Sequence, residues 1–232
     1  MPPVTRTRWL LQKLIDEGVS RFYTAKQMQP NDQTIATITQ RLRESASVTD
    51  AMGDRAADIA RAASLIAQSV QRGGKLLLCG NGGSAADCQH VAAEFVGRLT
   101  QEKTRPAMPA LALTTDTSFL TAYANDLGFE GVFARQIEAL GTAGDVLLAI
   151  STSGSSPNVV AALEAARGLD MQTIALTGGD GGAVGRAAAI HVNVPSKATA
   201  RVQEVHRTLL HVICAIVEES VVNGASTKDT KR

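Results

Sequence analysis

Residues 76 to 97 read LLLCGNGGSAADCQHVAAEFVG, and they decide how the chain folds. A short apolar run (76–79) gives way to a glycine turn (80–83) and then to a pattern with His90 and Glu94 four residues apart. An apolar run that ends in glycine and passes into helix is a strand, a turn and a helix in sequence. Residues four apart on a helix share a face, so the imidazole and the carboxylate point into one volume. The bare amides of the turn lie just before that helix and can face an oxyanion.

Working outward, apolar runs recur at 109–113, 145–150, 172–176 and 190–194, with helical patterns between them and a long helical pattern from about 198 to 222. Runs such as DVLLAI and TIALT are apolar without alternation, as strands covered by helices on both faces must be. Parallel strands also need connections of this length. The fold class is therefore α/β: a doubly wound five-stranded parallel sheet flanked by helices, a flavodoxin-like sandwich. Ligands in such sheets bind beyond the carboxyl ends of the strands, where both CGNGGS (79–84) and STSGSS (151–156) fall.

Before the first strand, apolar residues at helical spacing (Ile35, Ile38, Leu42; Ile59, Ala63, Ile66, Val70) predict two helices interrupted near Thr49 to Gly53. Residues 1–33 hold the only Trp and end in a Pro-Asn-Asp break. They read as an N-terminal extension, in which TRWLLQKLIDEGVSRF has amphipathic character and Asp16 and Glu17 argue against a transit peptide. The main domain is expected over 34–222, and the polar tail 223–232 is expected to be disordered.

Composition narrows the function. The chain has 232 residues, 44% of them hydrophobic, enough for one large domain with a full core. Lys and Arg number 23 against 22 acidic residues, so no charge excess draws nucleic acid or an acidic membrane. No apolar run approaches the roughly 20 residues of a membrane span, and no signal-peptide core is seen, so a cytoplasmic protein is expected. Cys79, Cys88 and Cys214 lie inside apolar elements without metal-ligand spacing and read as reduced packing residues.

The second loop carries four serines and a threonine before Pro157. Pro suits the first helical position and Ser the cap before it, so Ser156 is the expected cap. Free amides, hydroxyls and the helix dipole there suit a phosphate. Neither G-x-x-x-x-G-K-[ST] nor G-x-G-x-x-G is present, which favours a sugar phosphate over a nucleotide. The last helix places Gln203, Glu204, His206, Arg207 and His211 on its first turns.

Four segments in order, GNGGSAADCQHVAAEFVGR (80–98), AYANDLGFEGVFARQIEALG (122–141), GDVLLAISTSGSSPNVV (144–160) and ARVQEVHRTLLH (200–211), resemble the sedoheptulose 7-phosphate isomerase (phosphoheptose isomerase) family of the SIS (sugar isomerase) superfamily. The resemblance runs from about residue 34 to 222. It implies an aldose-ketose isomerase making D-glycero-D-manno-heptose 7-phosphate through an enediol, the first step toward ADP-heptose for lipopolysaccharide core or surface glycans. By the same resemblance the general base falls on Glu94 and the histidine opposite on His211. Metal ligands for one zinc fall on His90, Glu94, Gln203 and His211. Sugar and phosphate contacts fall on Asn81, Gly82, Gly83, Asn125, Asp126, Ser151, Thr152, Ser153 and Ser156, with Gln203 also facing substrate. A homotetramer with active sites between subunits is implied as well.

Eight residues on a straight helix put Gln203 and His211 about 12 Å apart, so both reach one ion only if their side chains converge. His206 and His191 read as structural, and the Thr177–Gly182 loop as a turn. Two rival functions stand beside the isomerase: a non-catalytic relative that binds the bacterial replication initiator, and an isomerase or sensor for another sugar phosphate. The helix carboxylate and late histidine, typically missing from the binding relatives, favour catalysis.

Overall fold

A computed structural model describes residue 12 and residues 30–100 and 105–229. Apart from Gln12, the expected amphipathic stretch near the N-terminus lies outside the described residues. Helix α1 (Asp32–Asp50), a 3-10 turn (Ala51–Arg55) and α2 (Ala56–Gln71) precede the sheet, so the break expected near Thr49 to Gly53 is a change of helix type. The chain divides into two compact units, Met1–Arg43 and Glu44–Arg232, whose boundary falls inside α1. The α1 residues Ile35, Ile38 and Leu42 are exposed although their spacing is helical.

The sheet alternates with helices: β1 (Leu76–Gly80), α3 (Gly83–Val96), β2 (Ala110–Ala112), α4 (Thr117–Leu127), a 3-10 turn (Phe129–Gly131), α5 (Ala134–Leu140), β3 (Val146–Ser151), α6 (Pro157–Gly168), β4 (Gln172–Gly178), α7 (Gly182–Ala187), β5 (Ile190–Val194) and α8 (Thr199–Asp229). Strand order is β2-β1-β3-β4-β5 and every pairing is parallel. The five strands fall where the apolar runs predicted them.

Alternation within the buried strands sorts the core into two layers. Leu76, Leu78, Val146, Leu148 and Ile150 pack with Ile66 of α2, Phe95 of α3 and Val205 and Ile213 of α8. Leu77, Cys79, Leu147 and Ala149 pack on the other face with Ile137 of α5, Val159 and Leu163 of α6 and Val184 of α7. Burial pushes the thiols of Cys79 and Cys214 up to about 12, which suits packing residues rather than redox centres.

One expectation fails at the C-terminus: the tail expected to be disordered from residue 223 is helical to Asp229. Extending a helix that packing has already nucleated costs little per residue, so polar composition alone does not end it.

Candidate active site

The chain leaves β1 and turns one way while it leaves β3 and turns the other, so the crevice between these neighbours is the switch point of the sheet. The two loops there are tied together. Asn81 Nδ2 donates to Asn158 Oδ1 at 2.9 Å and Asn158 Nδ2 donates back to Asn81 Oδ1 at 2.9 Å. Asn158 is buried at the start of α6, and its amide is satisfied by this pair. Gly82 takes φ +54° ahead of α3, a conformation glycine tolerates best, and Asn81 C=O accepts from Ser84 N–H at 3.0 Å. A cavity of about 290 Å³ joins Asn81 to Ser156, Asn158, Phe129 and Glu130.

In the serine loop, Ser156 does hold the cap position before Pro157, but its hydroxyl makes no capping bond. It pairs instead with the Ser151 hydroxyl at 3.0 Å. The Ser155 hydroxyl donates to Ser153 Oγ, also at 3.0 Å. Gly154, at φ +67°, lies so close to the backbone of Gly181 and Gly182 that a Cβ has no room. Val184 N–H donates to Gly154 C=O at 2.9 Å. The Thr177–Gly182 loop is thus a buttress for the serine loop, in keeping with its reading as a turn.

Helices α3 and α8 bring the reactive groups together. His90 Nε2 lies 2.7 Å from His211 Nε2, the rings meeting edge to face, so one nitrogen donates and the other accepts. Glu94 Oε1 is 3.7 Å from His90 Nε2, as the four-residue spacing required. Both side chains are partly exposed, at 38% for His90 and 20% for Glu94, so the group is open to a ligand. Gln203 does not join it: among the described residues it makes no hydrogen bond to the histidines and lies against Gly83, where a Cβ would come within 2.5 Å of its Nε2. Asn125 and Asp126 are exposed on α4 and bonded to each other at 2.8 Å.

His206 Nε2–H donates to Thr177 C=O at 3.1 Å in a fully buried position, and burial lowers its pKa below the usual imidazole range. His191 bonds Thr177 Oγ1 at 2.6 Å and its ring packs on Gly181 and Gly185. Both are structural, as their positions suggested.

As to metal, the imidazole nitrogens and carboxylate are zinc-type donors, and two of them already converge. His90, His211 and Glu94 are the side chains that would hold such an ion. Among the described residues no three His, Cys, Asp or Glu side chains stand in metal-binding arrangement.

Sequence reasoning missed two ion pairs beside this group. Asp87, nearly buried, accepts from Arg207 Nε at 3.0 Å and Nη2 at 2.7 Å, joining α3 to α8. Arg105 Nε donates to Glu218 Oε1 at 2.6 Å. Glu218 was detectable: it follows His211 by seven residues and so falls on the same inward face of the helix. Arg105, in a loop, left no comparable signal.

A parallel α/β sandwich with serine and asparagine loops at its switch point and a His-Glu-His group beside them defines a class, the sugar isomerase domain. Two family models, each described as SIS domain, match residues 42–178 and 130–228. A phosphoheptose isomerase from Desulfovibrio desulfuricans is 51% identical over 189 residues, 81% of this chain and 89% of the relative. One from Roseiflexus is 56% identical over 156 residues, 67% of this chain and 78% of the relative. The solved phosphoheptose isomerase structure from Neisseria gonorrhoeae superposes with a TM-score of 0.74 at 44% identity, covering 79% of this chain and 98% of that one. The chain belongs to the SIS-domain family and, within it, to the phosphoheptose isomerases.

Proposed function

We propose that the protein is an aldose-ketose isomerase that converts D-sedoheptulose 7-phosphate into D-glycero-D-manno-heptose 7-phosphate, the first step of heptose supply for lipopolysaccharide core or other surface glycans. The observation that carries this is the convergence of His90, Glu94 and His211 beside two switch-point loops, in a chain half identical to phosphoheptose isomerases. In this reading Glu94 removes a proton from C1 of the open-chain ketose and returns it to C2, by way of an enediol. His211 moves the hydroxyl proton between O1 and O2, which an imidazole can do near neutral pH.

Ser151, Thr152, Ser153 and Ser156 hold the phosphate through hydroxyls and loop amides. Asn81, Gly82 and Gly83 orient the sugar oxygens, with Gln203, which lies against Gly83, beside them. His90, Glu94 and His211 would hold one zinc per subunit, with Gln203 swinging from Gly83 to complete the set. When bound, zinc acts as a Lewis acid on the sugar carbonyl.

The working unit in this reading is a cytoplasmic homotetramer with sites formed between subunits. Supporting it, the large apolar side chains Leu127 and Phe129, next to Asn125 and Asp126, are exposed at 73% and 55%. Among the described residues no helix is long and apolar enough to cross a membrane.

The test is turnover of sedoheptulose 7-phosphate by the purified protein beside Glu94→Gln. A folded mutant slower by roughly a hundredfold or more is the expected result for loss of a general base. Equal turnover in the two would remove Glu94 from that role, and no turnover by the parent would point to another sugar phosphate or to a binding protein.

A further inference from the structure

The last turn of α3, which carries Glu94, ends among carbonyls that no later residue of the helix can satisfy. Ala93 C=O accepts from Gly97 N–H at 2.8 Å. The next two accept from one side chain: Arg105 Nη2 donates to Glu94 C=O at 2.7 Å and Nη1 to Phe95 C=O at 2.9 Å, the latter also accepting from Met108 N–H at 3.1 Å. The same guanidinium donates through Nη1 to Pro106 C=O at 3.1 Å and through Nε to Glu218 at 2.6 Å. Both partners of this ion pair are almost fully buried, with side-chain exposures of 1% and 2%.

A buried carboxylate and guanidinium persist only where geometry and hydrogen bonding are close to complete, and a planar fork with several donors meets that condition better than an ammonium. Glu218 belongs to α8, the helix of His211. Along α3 and α8 the contacts run in register: Asp87 with Arg207, His90 with His211, and the Glu94–Phe95 carbonyls, through Arg105, with Glu218. The histidine pair is therefore bracketed by two ion pairs that fix one helix along the other.

We propose that Arg105, anchored by Glu218, is a positioning residue for Glu94. It holds the last turn of α3 against α8, so that the Glu94 carboxylate keeps its place beside the two histidines. It touches neither substrate nor the reacting atoms. This inference rests on Glu94 being the base.

The experiment measures kcat, KM and Tm for Arg105→Gln, Arg105→Lys and Glu218→Gln, alone and combined with Glu94→Gln, all assayed well below each variant's Tm. A misplaced base lowers kcat by roughly tenfold to a hundredfold. The expected result is that loss in Arg105→Gln with KM within about twofold, partial recovery in Arg105→Lys, and no further loss when Arg105→Gln is added to Glu94→Gln. Unchanged kcat with only a lowered Tm, or losses that multiply in the double variant, would overturn the proposal. Should Arg105→Gln not fold, Glu218→Gln must show the same kcat loss and the same absence of a further loss, or the proposal fails. Parental turnover in Glu94→Gln would instead sink the base reading, while an inactive Glu94→Gln beside a fully active Arg105→Gln would sink the positioning role alone.

Discussion

Asp145 sits almost wholly buried at the start of β3 and is satisfied on every side. Lys75 N–H at 2.9 Å, Lys75 Nζ at 2.6 Å, Thr142 N–H at 2.9 Å and the Thr142 hydroxyl at 2.9 Å all donate to its carboxylate. Burial by itself would raise its pKa, but these donors outweigh it and hold the group below the usual carboxylate range. A carboxylate with a depressed folded pKa contributes stability that is fully present above its unfolded pKa, near 4, and is lost as pH falls through the folded value. Asp145→Asn is accordingly expected to cost about 1–3 kcal/mol at pH 7. Chemical denaturation of parent and mutant across pH 2 to 7 checks this, and the gap between them should close toward the acid end. Ser156 teaches the limits of reading single residues: the cap position followed from Ser-Pro, yet the hydroxyl chose a neighbour, Ser151, that lies five residues back across the loop. Local propensity places a backbone and leaves open which of several nearby acceptors a rotating hydroxyl takes.

At the scale of elements, α3 and α8 each deliver one imidazole, so metal affinity should depend on both helices. Purified protein is expected to carry about one zinc per subunit, to lose it in His211→Ala, and to lose turnover on chelation and regain it with zinc. Elemental analysis alongside the assay checks this; full activity in metal-free protein would remove the Lewis acid and leave Glu94 untouched. The strands were legible because burial on both faces makes their apolar runs continuous. The face shared by His90 and Glu94 was legible because helix period is fixed. Contacts between helices were not: that His90 meets His211, that Asp87 meets Arg207 and that Gln203 rests on Gly83 depend on how α3 and α8 settle on the sheet, which no spacing within either helix encodes. The extent of α8 beyond residue 222 escaped for a related reason, since composition marks where a helix gains nothing more from packing and not where it stops.

For the whole molecule, the family models match residues 42–178 and 130–228, so residues 1–33 lie outside the matched ranges. A chain starting at residue 34 is expected to keep kcat within about twofold and the same oligomeric state by light scattering; loss of either would make the extension part of the working enzyme. The reciprocal amide pair between Asn81 and Asn158 has a mechanical consequence. Each amide gives one bond and takes one, so the loop after β1 and the start of α6 after β3 are latched across two neighbouring strands. Neither side can shift alone without unmaking two hydrogen bonds and leaving the buried Asn158 amide unsatisfied.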